Sequence, residues 1–180
     1  MPERLPDLSA FTEWDERLRE VAADPEAVEA AIAAAESQLA QGDPSAESRL
    51  LGYLGNATRI LGRTNESLDH LRRSLDAAPD ETARIKAMIR IGETHRCRDE
   101  HEQGIALLRE AAALARVEAP ELEDFALQHL GKCLVDAGRT SEGVEQLERA
   151  LALRLRKADP ALIASTAEAL ARAGYREPAT

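Results

Sequence analysis

The chain has 180 residues, 44% of them hydrophobic and 31% charged, which is enough for one domain with a sizeable apolar core. Its formal net charge of −10 argues against a general nucleic-acid or anionic-membrane surface, because either needs a basic field. Two cysteines, Cys97 and Cys133, are too few for a disulfide framework. Residues 1 to 8 hold no apolar core of signal-peptide length, and no stretch reaches the roughly 18 apolar residues of a membrane span, so a cytoplasmic protein is expected.

Taken in order, Asp7 or Ser9 can cap a first helix whose Phe11, Trp14, Leu18 and Val21 form one stripe, with Trp14 read as a core residue. Asp24-Pro25 stops that helix and opens a second, carrying Val28, Ala31, Ile32, Ala35 and Leu39 up to Gly42-Asp43-Pro44. Residues 9–42 are thus expected to form a helical hairpin. Residues 48–81 read as a clearer one. Leu51, Leu54, Gly55, Thr58 and Ile60 keep helical spacing, Gly62-Arg63-Thr64-Asn65 supplies a glycine stop and polar N-cap candidates, and Leu68, Leu71, Ser74 and Leu75 line the second helix before Pro79. One hairpin cannot bury its own apolar face, so the unit should recur.

It recurs without adjustment. Gly55, Gly92 and Gly131 each follow a branched aliphatic residue (Leu54, Ile91, Leu130). Twelve residues later stand Ser67, Gly104 and Gly143, all small; sixteen later, Leu71, Leu108 and Leu147, all large; nineteen later, Ser74, Ala111 and Ala150, small again. The second and third copies occupy 85–118 and 124–157. Asp159-Pro160 then opens a last helix to residue 173, with Ile163, Ala167 and Leu170 facing inward as a terminal cap, and 175–180 reads as a tail.

This pattern resembles the tetratricopeptide repeat (TPR) family, in which Trp-x2-Leu-Gly-x2-Tyr is followed by Ala-x3-Phe and Pro over 34 residues. Leu51, Met88 and Leu127 stand at the Trp position and Thr58, His95 and Leu134 at the Tyr position, so the scaffold is aliphatic. The glycines lie 37 and 39 residues apart, because the second and third hairpins run on to Pro120 and Pro160. That lengthening is similar to the kinesin-light-chain style of the repeat. The resemblance implies an all-α, right-handed superhelical solenoid of antiparallel hairpins with about nine helices.

It also implies a concave groove lined by the first helix of each hairpin. The corresponding positions are Arg49, Tyr53, Asn56 and Arg59; Lys86, Arg90, Glu93 and Arg96; and Phe125, His129, Lys132 and Val135. With Asp136 the set carries a net charge of +4, leaving −14 on the rest of the chain. Such a groove would attract an acidic peptide or helix, and arginine forks can hold its carboxylates in bidentate fashion. Tyr53, Phe125 and His129 would add anchors of the kind interfaces use. Some family members clamp a C-terminal carboxylate; here Asn56, Lys86 and Arg90 match elements of that clamp. The Lys-Arg pair lies one repeat beyond the Asn instead of two, and Gly52 stands where a further lysine is expected.

Two alternatives stay open at this point. The arginines can form solvated faces and pairs such as Arg49 with Glu81 or Arg90 with Glu93. The module can instead self-associate through residues 161–173 or the Trp14-bearing N-terminal hairpin, giving a homo-oligomer. His95, Cys97 and His101 fit no closed zinc motif and are flanked by arginines, so no metal is expected. No phosphate loop, nucleophile elbow or His-Glu-x-x-His helix is present, so no cofactor or catalysis is expected, and neither nucleic acid nor membrane is an expected partner.

Overall fold

The computed structural model describes residues 4–175. Aspartates open four of its helices: α1 (Pro25–Leu39), α2 (Pro44–Ile60), α4 (Glu81–Cys97) and α8 (Pro160–Arg172) begin beside Asp24, Asp43, Asp80 and Asp159, whose carboxylates accept from free N–H groups of the first turn. Pro25, Pro44 and Pro160 sit at helix starts, where the missing N–H is no loss. The remaining helices are α3 (Thr64–Asp76), α5 (His101–Glu118), α6 (Glu123–Asp136) and α7 (Thr140–Lys157).

The turns into α3, α5 and α7 share one construction. Arg63, Glu100 and Arg139 donate their N–H groups to the carbonyls of Thr58, His95 and Leu134, closing the end of the preceding helix. That closure needs a left-handed residue, supplied by Gly62 and Gly138 (φ 78° each) and, at the matching place in the middle turn, by Asp99 (φ 60°). The expected side-chain N-cap does not form: Arg63 precedes α3 and makes no side-chain cap bond, while Thr64 and Asn65 accept from the Arg98 guanidinium instead.

The recurring Gly and Leu positions meet inside each hairpin. A Cβ on Gly55 would lie 2.4 Å from Leu71 Cγ, on Gly92 2.5 Å from Leu108 Cγ, and on Gly131 2.6 Å from Leu147 Cγ. The small residue twelve positions on rests against the same glycine's carbonyl: Ser67 Oγ donates to Gly55 O at 2.7 Å, and Cβ atoms on Gly104 and Gly143 would lie 3.1 and 2.8 Å from Gly92 O and Gly131 O. Gly-to-Leu docking at this distance lets the two backbones close up, so each hairpin is a rigid unit.

α2, α4 and α6 touch side by side and form one layer, while α3, α5 and α7 pack behind them and are splayed further apart. The layer of first helices is thereby the inner, concave one. The largest core runs through α4 to α7 with Ile85, Met88, Leu108, Leu127 and Leu134 at its centre, and α8 covers the last face through Ala169 and Leu170 on Leu147. The all-α solenoid expected from the sequence is what forms, with eight α-helices among the described residues instead of about nine.

The missing helix is the first. Residues 8–22 form a 3₁₀ turn (Leu8–Phe11) and an antiparallel hairpin of β1 (Thr12–Trp14) and β2 (Glu20–Ala22), with Glu13 opposite Val21. The stripe expected for a helix is divided: Phe11 packs against α1 and α2, whereas Leu18 reaches the cluster of Leu147, Ala169 and Leu170 at the far end. A helix could not serve both sites, and Asp15 competes with helix by accepting from the N–H groups of Arg17 and Arg19. Trp14 is not core; it is 52% exposed. Of the tail expected at 175–180, Tyr175 packs against the Leu147, Ala169 and Leu170 cluster, and 176–180 lie outside the described residues.

Candidate functional site

Residues 5–20 run along the inner layer from α2 to α8 as a strap, and this strap divides the expected groove into two halves. In the half nearest α1, Arg49, Tyr53, Asn56, Lys86 and Arg90 line a cavity of about 690 Å³ together with the buried Ser48 and Ser74. A contiguous recess of about 280 Å³ shares Asn56, Lys86 and Arg90 and is walled by Ile89, Leu122, Phe125 and His129, with Arg59, Glu93 and the strap's Glu20 at its far end. Arg49, Tyr53 and Asn56 on α2 and Lys86 and Arg90 on α4 recur at three- and four-residue spacing, which places their side chains on one face, while Phe125 and His129 come from α6.

The side chains of Arg49, Lys86 and Arg90 form no hydrogen bond or ion pair with the described residues, so Glu81 and Glu93 do not pair with Arg49 and Arg90. Arg90 is partly buried, and burial together with the nearby Arg59 cation pulls its pKa down. Its guanidinium folds over Gly52, where a Cβ would lie 2.7 Å from Nη1. The space in which the family clamp has a lysine is thus filled by Arg90. Arg59 pairs with Asn56 (2.6 Å) and Glu20 through Nη2, but its buried Nη1 has no partner. Tyr53 donates its hydroxyl to Pro6 O at 2.9 Å, holding the start of the strap.

The other half is filled. Arg96, fully buried, grips Glu93 with Nε (2.9 Å) and Nη2 (2.6 Å), reaches Asp136 with Nη1 (2.7 Å), and donates to the main-chain carbonyls of Arg17 and Leu18 at 3.0 Å each. Glu93 also meets His129 Nδ1 at 2.8 Å and Lys132 Nζ at 3.6 Å, and Lys132 donates to Leu18 O at 3.2 Å. Arg17 and Arg172 close the set on Asp136 at 3.3 and 2.9 Å. Four positions expected to face an open groove, Arg59, Glu93, Arg96 and Lys132, are 6%, 3%, 0% and 4% exposed. Their burial has one physical cause: the strap lies over them, and their charges answer each other and the strap's carbonyls and Glu20.

The protonation states follow from that enclosure. Burial opposes the Glu93 carboxylate, but Arg96, Lys132 and His129 outweigh it and hold its pKa well below the usual range. Burial brings the Lys132 ammonium down to about 8, offset in part by Glu93. It also lowers His129, so that the neutral imidazole is favoured. Arg96 goes up despite burial, because Glu93 and Asp136 hold its charge. Lys132 Nζ lies 5.3 Å from the Trp14 ring centroid.

Sequence reasoning located the inner-face positions but missed the strap that covers half of them. The signal was present in alternation and turn chemistry, Thr12-Glu13-Trp14 and Glu20-Val21 around Asp15, which the helical stripe overrode. At the middle turn, His95 Nδ1 lies 2.6 Å from Glu100 and His101 lies 3.7 Å from Asp99; among the described residues no group of three His, Cys, Asp or Glu is arranged to hold a metal.

Solved structures place this architecture. The Podosopora anserina kinesin light chain protein with nearly identical TPR-like repeats is 20% identical, over 85% of this chain and 79% of that one, with a TM-score of 0.55. MamA is 20% identical, over 82% of this chain and 87% of that one, with a TM-score of 0.56. The fold is a TPR-like solenoid. No protein-family model matches the sequence, and no curated protein is similar to it. Among the described residues, no helix of the TPR-like array is long and apolar enough to cross a membrane.

Proposed function

We propose that this protein is a non-enzymatic adaptor that takes an acidic peptide or helix in the open half of its inner face. The observation that carries this reading is the set of unpaired cations: Arg49, Lys86 and Arg90 converge on one cavity and their side chains make no ion pair with a carboxylate among the described residues, and Arg59 Nη1 is buried beside them without a hydrogen-bond partner. Retaining a partly buried, unpaired arginine is unfavourable for folding alone, and an incoming carboxylate would remove that penalty. Asn56 can accept or donate beside it, while Phe125, Ile89 and Leu122 offer an apolar wall for a neighbouring side chain of the ligand. No cofactor or metal has a part in this role.

Labelled hexaglutamate and hexaglutamine peptides titrated against the full chain test it. Binding of hexaglutamate alone is expected, lost on Lys86→Glu with Arg90→Glu and weakened as salt rises from about 50 to 500 mM, since the contacts are solvent-facing. Equal affinity for the two peptides, or an unchanged affinity in the charge-reversed protein, would remove the acidic-ligand reading and leave recognition of a folded partner.

A further inference from the structure

The filled half of the inner face is held in the way a bound peptide is held. Arg96 and Lys132 take the carbonyls of Arg17 and Leu18, the Leu18 side chain enters an apolar socket at Leu147, Ala169 and Leu170, and the Glu20 carboxylate pairs with Arg59. Each of these is a contact that a separate chain could supply. The segment that supplies them is weakly founded: its two strands have three residues each, short of what stands alone in water, and Leu18 sits at φ 53°, a left-handed conformation unfavourable for a side chain of its size. The main core of α4 to α7 contains no residue of it.

We infer that residues 12–22 are the resident occupant of a second peptide site, and that the partner segment taking this site presents a leucine in a tight turn, two residues ahead of a glutamate. The turn delivers two successive carbonyls to one arginine fork, the leucine fixes the depth, and the glutamate fixes the direction through Arg59. Arg96, Lys132 and the Leu147 socket are distinct from Arg49, Lys86 and Arg90, and the two halves meet at Arg59, so the Lys86 and Arg90 cations can be removed without touching this site. A partner segment must displace the hairpin, so its apparent affinity for the intact chain is reduced by the fraction of time the hairpin is docked.

A fluorescein-labelled synthetic peptide with the sequence of residues 12–22, titrated by anisotropy, tests this on the full-length protein. The Leu18→Ala, Glu20→Gln protein, whose own hairpin docks less well, should bind the peptide at least about tenfold more tightly than wild type. The same peptide carrying both substitutions should not bind, and Lys86→Glu with Arg90→Glu should leave the affinity unchanged. Native-state hydrogen exchange supplies a reading on unaltered protein: the Glu13 and Val21 amides, which face each other in the hairpin, should exchange through an opening that leaves Ile91 and Leu130 protected. A folded double variant that binds the peptide no better than wild type, or hairpin amides that exchange only with global unfolding, would make the hairpin a permanent part of the fold and overturn the inference.

Discussion

The two halves of the inner face lie at opposite ends of the first helices, Arg49, Lys86 and Arg90 before the repeat glycines and Arg59, Glu93, Arg96 and Lys132 after them, and have opposite electrostatics. Arg90 and Arg96 lie on the same helix, yet Arg90 has no ion pair among the described residues while Arg96 holds two carboxylates and two carbonyls. What separates them is a segment some 75 to 80 residues earlier in the chain, which covers one and stops short of the other. The repeat sets where side chains point; the strap decides which of them remain available. A binding face in such a solenoid is therefore defined by what covers it as much as by the helix positions that line it.

The covered half depends most on Glu93. That carboxylate answers Arg96, His129 and Lys132 at once, so Glu93→Ala leaves uncompensated cations beneath the strap and should cost about 3–5 kcal/mol in urea unfolding. Lys86→Glu in the open half should change stability by less than about 1 kcal/mol. Similar losses for the two would mean that the halves are not electrostatically distinct.

The next largest effect is a pH dependence. Lys132 has a folded-state pKa of about 8, below its unfolded value near 10.5, so its penalty is fully present below pH 8 and is relieved as pH rises toward 10.5. Across that window wild type should gain up to about 3 kcal/mol relative to Lys132→Met, read as the difference between the two unfolding curves, which cancels the opposing titration of the thiols. On the acid side the signs agree for two groups. His129 is lowered, so stability declines as pH falls below about 6.5, and Glu93 is lowered, so it declines further below about 4.5. A flat difference curve between pH 8 and 10.5 would mean that Lys132 is solvated and the strap is open.

Helix hairpins were legible in the sequence because the cause is local and repeated: a glycine, a leucine sixteen residues on and a left-handed turn residue recur with the same spacing wherever two helices must close up. The strap was not, because its conformation depends on partners far away. Leu18 is placed by Leu147 and Leu170, its carbonyl by Arg96 and Lys132, and none of these leaves a mark near residue 18. Local apolar spacing at Phe11, Trp14 and Leu18 read as helix, and tertiary contacts prevailed. The same fact explains the candidate site: register gave Arg49, Lys86 and Arg90 and equally Arg59, Glu93, Arg96 and Lys132, and no local feature told the uncovered set from the covered one.

Two glycine substitutions sharpen the contrast with the smallest expected effects. Gly92→Ala places a methyl 2.5 Å from Leu108 Cγ inside a packed hairpin, where little can yield, and should cost about 1–3 kcal/mol. Gly52→Ala, also within an inner-layer helix, meets chiefly the end of the Arg90 side chain at 2.7 Å, with Ser74 Oγ next at 3.3 Å. A guanidinium tip can swing outward, and alanine favours helix over glycine by up to about 1 kcal/mol, so stability should hold or rise slightly. The swing moves Arg90 away from Asn56 and Lys86, so hexaglutamate binding should weaken while the unfolding midpoint does not fall. If Gly52→Ala instead destabilised the protein as Gly92→Ala does, Arg90 would be a fixed structural strut over α2, and the open half would lose the cation that most distinguishes it from the covered one.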